Sequence, residues 1–178
     1  MGLDSVEIVL EVEESFSIDI PNEAAVSMRT PRQMTQYIMR HVPLQRGEGC
    51  RFQRSFFRVR RGLKRQLPAL ASAVERDTRL QDILPRDQWP ALWSSIRDDV
   101  GEPDWPARIP WPRFFRAGPR TVGELAWYVT LFPAGQTSFT PPWSRDKVGL
   151  EVRRVVYELM GKLDYSLDAS FVRDLGVT

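Results

Sequence analysis

The sequence of 178 residues is poor in the side chains on which many catalytic and metal sites depend. Cys50 is the only cysteine, so no internal disulfide can form, and a reducing compartment is the natural assumption. His41 is the only histidine, which leaves almost no material for a histidine-based metal cluster or a Ser-His-Asp triad. We therefore expect no metal site and no enzymatic activity.

Long apolar runs are also missing from the sequence. No run approaches the ~20 residues that are needed to span a bilayer. Asp4, Glu7 and Glu11 interrupt the first residues, so these residues do not form the basic and apolar regions of a signal peptide. We expect a cytoplasmic protein that makes no contact with a membrane.

Alternation with period two is rare, whereas helical spacing and helix-start residues recur. Thr30 and Thr121 are each followed three residues later by Gln or Glu, which is the pattern of a capping box. Ser144 precedes a long segment with a clean apolar face. The sequence therefore predicts an all-α protein, with a short apolar loop at 80–84 and helices near 6–16, 31–42, 52–67, 90–100, 121–132 and 144–163.

Charge is distributed unevenly, although the net charge is only +2. Residues 1–43 hold seven acids and three bases, whereas residues 44–135 hold sixteen bases and ten acids. In the first segment, Glu7, Glu11 and Glu14 lie at i, i+4 and i+7, which places them on one stripe of a helix. Such an asymmetry indicates contact between the two segments or two different partners.

The second charged feature is a basic helix that holds seven bases in the 15 residues 51–65. Its interpretation stays open between a solvated or intramolecularly docked face, a protein partner, and nucleic acid. If this helix binds a partner, we expect the contact at the stripe formed by Arg54, Arg58, Arg61 and Arg65.

The two ends of the sequence resemble consecutive parts of an acyl carrier protein. Residues 169–176 read Ala-Ser-Phe-Val-Arg-Asp-Leu-Gly, similar to the end of the loop that precedes the phosphopantetheine serine in that family. Residues 3–21, with Val-Glu-Ile-Val and Ile-Pro at matching spacing, resemble its acidic second helix. The resemblance implies a four-helix bundle that is circularly permuted, with 144–178 supplying the first helix and loop and 1–43 supplying the other three helices.

The middle of the sequence resembles the same family more weakly. Residues 52–67 resemble its first helix, 74–84 its loop, 90–100 its second helix and 121–132 its fourth helix. The resemblance implies a second, degenerate bundle over 51–132, inserted into the first through connections at 44–50 and 133–143. Of the tryptophans in this part, we expect Trp105 and Trp111 at the contact between the two bundles.

The resemblance also implies that the serine which carries 4'-phosphopantetheine is missing. Counting back from Pro21 with the spacing of the family, the matching position is Gly2, which has no hydroxyl. A rival alignment of Gly2-Leu-Asp-Ser with the family motif selects Ser5 instead. That alignment deletes three residues before Pro21, nearly one helical turn, and rotates the apolar positions of the helix away from their core.

The function that we expect is a non-catalytic, acyl-carrier-like interaction module without a cofactor. Glu7, Glu11 and Glu14 are its expected docking surface for a protein partner, such as an enzyme that recognises carrier proteins, and the basic stripe is the second candidate. One alternative is a genuine carrier in acyl or fatty-acid metabolism that is modified on Ser5, with 4'-phosphopantetheine as cofactor. A second alternative is nucleic-acid binding through 51–65. The permuted bundle closes within one chain or between two chains of a swapped dimer.

Overall fold

The computed structural model describes residues 3–47, 49–84, 86–110, 118–136 and 138–178. These residues are mainly helical, which confirms the all-α prediction. Within this part of the chain, no helix is both long and apolar enough to cross a membrane. The elements are α1 (Leu3–Phe16), α2 (Asn22–Ser27), α3 (Pro31–His41), β1 (Leu44–Gln45), α4 (Arg51–Gln66), a 3₁₀ helix (Pro68–Ala73), α5 (Leu80–Ile83), α6 (Trp89–Val100), α7 (Val122–Leu131), β2 (Trp143–Ser144) and α8 (Arg145–Met160).

Internal contacts divide the chain into two compact units. The discontinuous unit consists of Met1–Gly49 and Ser138–Thr178, and the continuous unit consists of Cys50–Thr137. In the discontinuous unit β1 and β2 pair in parallel, with Leu44 opposite Trp143. That these units are related carrier-like bundles, with the boundaries given above, stays a prediction.

The helix-start residues act as the sequence predicts. The Thr30 hydroxyl accepts a hydrogen bond from the Gln33 amide at 3.3 Å, and Gln33 Oε1 accepts one from the Arg29 amide at 2.8 Å. Thr121 and Ser144 accept in the same way from amides three residues later, at 3.1 and 3.3 Å. Each cap satisfies an amide that has no partner within its helix. The predicted apolar loop at 80–84 was wrong, because Leu80–Ile83 forms the short helix α5.

The core of the discontinuous unit forms around α8, which packs against α1 and α3. On α1 the buried side chains are Ile8, Val12 and Phe16, spaced at i, i+4 and i+8. The ring of Phe16 also contacts the ring of Trp143, with centroids 4.4 Å apart. This spacing fixes which side of α1 faces the core and which side is left exposed.

One face of α8 buries an ion pair beside its apolar residues. Glu151 is fully buried and accepts two hydrogen bonds from the Arg154 guanidinium, at 2.6 and 3.0 Å. Glu151 Oε2 also accepts the Phe139 amide at 3.0 Å, which fastens the segment before β2 to the helix. Arg154 also forms an ion pair with Glu158, whose side chain is 41% exposed. Burial of such a pair is tolerated because each charge has a partner.

We expect Glu151→Ala to destabilise the discontinuous unit by about 3 kcal/mol or more, because Arg154 and the Phe139 amide lose a buried partner. The matched control is Glu158→Ala, which removes an exposed partner of the same arginine and should cost about 1 kcal/mol or less. Urea unfolding followed by circular dichroism measures both. Equal losses in the two variants would contradict the buried role of Glu151.

The core of the continuous unit is rich in aromatic side chains. Here α4 packs against α6 and α7, and Val59 and Leu63 are buried on the inner face of α4. The rings of Trp93 and Trp105 stack within this core with centroids 5.6 Å apart. The expectation that Trp105 lies between the units was therefore wrong, and Trp111 lies outside the described residues. Large aromatic side chains compensate for the thin core of a small helical unit.

A close approach between α4 and α6 depends on Gly62. A methyl group at this position would lie 2.7 Å from Ile96 Cγ2 and 3.2 Å from Val100 Cγ2. We expect Gly62→Ala to lower the free energy of unfolding by about 1–3 kcal/mol, because the β-branched neighbours cannot rotate away. Gly149→Ala, on α8 with open space around it, is the control and should stabilise by about 0.5–1 kcal/mol. Thermal and urea unfolding measure both, and a stabilising Gly62→Ala would overturn the assignment.

Candidate carrier-like site

The last residues of the sequence contact the beginning of α1. The amide and the hydroxyl of Thr178 donate hydrogen bonds to Asp4 Oδ2, at 3.1 and 2.7 Å. The Ser5 amide donates to the Thr178 carbonyl at 3.3 Å. These bonds satisfy a helix start, where amides lack partners within the helix. The bonds from Thr178 also hold the pKa of the Asp4 carboxyl below its ordinary value of 3.8.

Residues 167–178, which we call the tail, are attached a second time at the start of α3. The Arg32 amide donates to the Leu167 carbonyl at 2.9 Å, and the Phe171 amide donates to the Arg29 carbonyl at 3.0 Å. Arg32 holds Asp168 through two parallel bonds of 2.6 and 2.9 Å. Hydrogen bonding to Arg32 lowers the pKa of Asp168, and the same bond raises the pKa of Arg32. Since both side chains are exposed, the pair mainly sets the position of the tail.

The tail is a compact loop with its own buried side chains. Phe171, Leu175 and Val177 are all buried, and the Val177 amide donates to the Phe171 carbonyl at 2.9 Å. Gly176 lies between them at a φ of 81°, a conformation that glycine adopts at little steric cost. The glycine of the Asp-Leu-Gly segment therefore serves the turn that returns Val177 to the core.

A groove of about 720 Å³ lies between α1, α2 with the residues after it, the start of α3 and the tail. Its volume is within the range of roughly 300–1,000 Å³ that is typical of small-molecule sites. Ser5, Arg29 and Arg173 supply polar groups to its lining. The apolar side chains that line it come from all of these elements: Ile8, Val9, Met28, Met34, Phe171 and Val172.

Of the two expected positions for an attached group, Ser5 is described and Gly2 lies outside the described residues. Ser5 is half-buried in the first turn of α1 and lines the groove. A phosphate favours a helix N-terminus, because free amides and the helix dipole point toward it. The fit to phosphopantetheine is partial, since the Ser5 amide is already bonded to Thr178.

The predicted acidic stripe lies on the exposed side of α1. Glu7, Glu11 and Glu14 are exposed, and we call them the acidic face. Beside this face lies an exposed apolar stripe, in which Leu3 is 72% exposed and Leu10 is 56% exposed. The prediction from the sequence did not distinguish these residues from those of the core. The available signal was spacing, since Leu3, Val6 and Leu10 follow i, i+3 and i+7, out of phase with the buried positions.

The basic stripe is partly paired within its own unit, and its use as a binding surface stays a prediction. Arg58 forms an ion pair with Glu102, and Arg65 forms one with Asp99 at 3.0 Å, both inside the continuous unit. The spacing in the sequence predicts that these arginines share one face of α4. It does not predict that Glu102 and Asp99 approach this face from other parts of the chain. The structure places on α4 all four residues of the predicted stripe: Arg54, Arg58, Arg61 and Arg65.

The remaining candidates from the sequence are His41 and Cys50. His41 is exposed, and its Nδ1 lies 2.8 Å from the Tyr37 carbonyl while its ring stacks on that of Tyr37. Cys50 is exposed. Among the residues that the structure describes, no cluster of His, Cys, Asp or Glu could hold a metal ion.

The pKa shift of Asp168 gives a pH-dependent test of the tail attachment. A carboxyl whose pKa is lowered on folding contributes stability above its ordinary range, and this contribution is lost as the pH falls through the lowered pKa. In Arg32→Gln we expect the Asp168 pKa to return to about its ordinary 3.8, measured by NMR titration of the carboxyl carbon. Arg40→Gln, an exposed base on the same helix, should leave it lowered. An Asp168 pKa unaffected by Arg32→Gln would contradict the pairing.

Comparison with known proteins gives similarity over part of the chain. Over 40 residues the chain is 44% identical to an acyl carrier protein of Cyanidioschyzon merolae, a match that covers 22% of this chain and 44% of that protein. The chain therefore spans less than half the length of this curated relative. No family model and no solved structure matches the chain. The chain is thus similar to an acyl carrier protein over a limited segment.

Proposed function

We propose that the chain is a non-catalytic, acyl-carrier-like interaction module in which no serine carries a phosphopantetheine arm. The observation that carries the proposal is the contact between Thr178 and the first turn of α1. The tail and α1 are the two segments that resemble consecutive parts of a carrier protein, and they are neighbours in space. The partial identity to an acyl carrier protein supports the same relation.

The absence of the arm follows from the alignment that keeps the spacing to Pro21. This alignment gives the attachment position to Gly2, and glycine has no hydroxyl from which a phosphodiester could form. Such a module keeps the outer surface of a carrier protein but has no covalent cargo. Recognition by a partner, rather than transport of an acyl group, is the function that remains.

The partner-binding surface that we infer is the acidic face of α1. Its three carboxylates are exposed and lie beside the exposed stripe of Leu3, Val6 and Leu10. Exposed charges contribute mainly specificity and association rate, whereas burial of apolar side chains contributes most of the affinity. A helix that presents both kinds of side chain suits a protein partner with a basic and apolar surface, such as an enzyme that recognises carrier proteins.

The position of Ser5 favours a second candidate function, a genuine carrier. Ser5 lies at the start of α1, where it lines the groove. If Ser5 held a phosphopantetheine group, that group would supply a thiol on which acyl chains form thioesters. The apolar lining from Ile8, Val9 and Phe171 would exclude water from such a chain.

Intact mass spectrometry separates the two functions. The full chain is incubated with CoA and a phosphopantetheinyl transferase, with an established acyl carrier protein as positive control for the enzyme. We expect no mass increase, because the alignment that keeps the spacing to Pro21 places the attachment position at Gly2, which has no hydroxyl.

The contradicting result is a stoichiometric phosphopantetheine adduct that Ser5→Ala abolishes. Ser15→Ala is the matched control, since Ser15 lies on the same helix and does not line the groove. An adduct that is lost in Ser5→Ala and kept in Ser15→Ala would assign the carrier function to Ser5 and end the interaction-module proposal.

A further inference from the structure

The outward side of α4 carries an exposed aromatic ring among cations. Phe57 is 56% exposed, whereas Phe52 and Phe56 on the same helix pack against the core. Arg61 and Lys64 lie one and two turns further along the same side of α4. We call Phe57, Arg61 and Lys64 the basic face. Together with Arg60 and Arg65 they line a shallow concavity of about 300 Å³.

The cations of the basic face differ from their neighbours on α4 in their ion pairing. Arg58, Arg60 and Arg65 each form an ion pair inside the continuous unit, with Glu102, Glu75 and Asp99 respectively. Across the described parts of the chain, no carboxylate pairs with Arg61 or Lys64. Like charges at i and i+3 repel each other along a helix, so an anionic partner would remove an unfavourable interaction.

The arrangement suits a protein helix better than a nucleic acid. A polynucleotide requires an extended basic track, because its phosphates repeat along the whole strand. Here Arg61 and Lys64 lie within one turn of α4, and three carboxylates stand close to the bases around them, at Arg58, Arg60 and Arg65. Those carboxylates would repel neighbouring phosphates. A partner with a few carboxylates beside apolar side chains matches both the charges and Phe57.

The sequence itself contains such a partner. The acidic face of α1 presents three carboxylates, and Leu3, Val6 and Leu10 form an apolar stripe beside them. This face and the basic face have opposite charge and each carries exposed apolar area. We propose that the acidic face of one copy of the chain binds the basic face of α4 on a second copy.

This proposal rests on the proposed function in one respect: both assign binding to the acidic face of α1. Phe57 packs on the apolar stripe of α1, while Arg61 and Lys64 pair with its carboxylates. The contact is heterologous, since it joins two different surfaces, the acidic face of one copy and the basic face of the other. Association should therefore rise with protein concentration and fall with added salt.

Complementary charge reversal tests this contact on the full chain. Variant A carries Glu7→Arg and Glu11→Arg, which makes both of its faces basic. Variant B carries Arg61→Glu and Lys64→Glu, which makes both of its faces acidic. Sedimentation velocity at low salt measures association of the wild type, of each variant alone and of an equimolar mixture. Arg86→Glu, an exposed base of the continuous unit outside the basic face, is the charge-matched control for a single reversal.

We expect the wild type and Arg86→Glu to associate, and each of variants A and B alone to associate about tenfold or more weakly. The mixture should recover most of the association, because each variant restores the charge pattern that the other lacks. Recovery also shows that both variants are folded. A wild type that stays monomeric at high concentration, or a mixture that does not recover, overturns the proposal.

Two further results separate this proposal from its alternatives. If only variant A loses association, the acidic face binds elsewhere, so the proposed function survives and the basic face of α4 is not its partner. Fluorescence anisotropy with a single-stranded oligonucleotide tests whether the basic face binds nucleic acid instead. Tight binding at low salt that variant B loses and variant A keeps would assign the basic face to nucleic acid and overturn the self-association.

Discussion

The discontinuous unit depends on the docking of the tail against the start of α1. Asp4 and Thr178 are 174 positions apart in the sequence, so local propensity has no part in bringing them together. Burial of Phe171, Leu175 and Val177 provides the main driving force, at about 1.5–3 kcal/mol for each large apolar side chain. The hydrogen bonds to Asp4 and Arg32 are at the surface and add little energy. Their role is to fix the register of the tail, because only one alignment satisfies both attachments.

The parts of this fold that the sequence predicts are those with a local cause. Thr30, Thr121 and Ser144 start helices because a side-chain oxygen satisfies an amide three residues later, and that chemistry is visible in the sequence. The all-α class follows from the same local patterns. The tail segment is predictable for a different reason, since its Asp-Leu-Gly order contains the glycine that the positive φ of Gly176 requires.

The parts that the sequence does not predict depend on elements that meet only after folding. Glu151 and Arg154 look like a solvated pair at i and i+3, yet both are buried, and the Phe139 amide from the segment before β2 donates to Glu151. Arg58 and Arg65 look like members of a free stripe, yet Glu102 and Asp99 approach from α6 and the residues after it. In each case helical spacing gives the correct face, and the partner on that face comes from tertiary packing. Candidate surfaces read from charge spacing alone are therefore too large.

The exposed side of α1 shows how a surface can be recognised despite this limit. A helix that only supports a core needs one apolar stripe, and Ile8, Val12 and Phe16 already provide it. A second stripe, out of phase with the first and lying beside three carboxylates, has no role in that core. Exposed apolar area costs free energy in water and is recovered only when something covers it. The second stripe is thus the stronger argument for the binding surface that we propose on α1, and on this proposal the carboxylates select the partners that can use it.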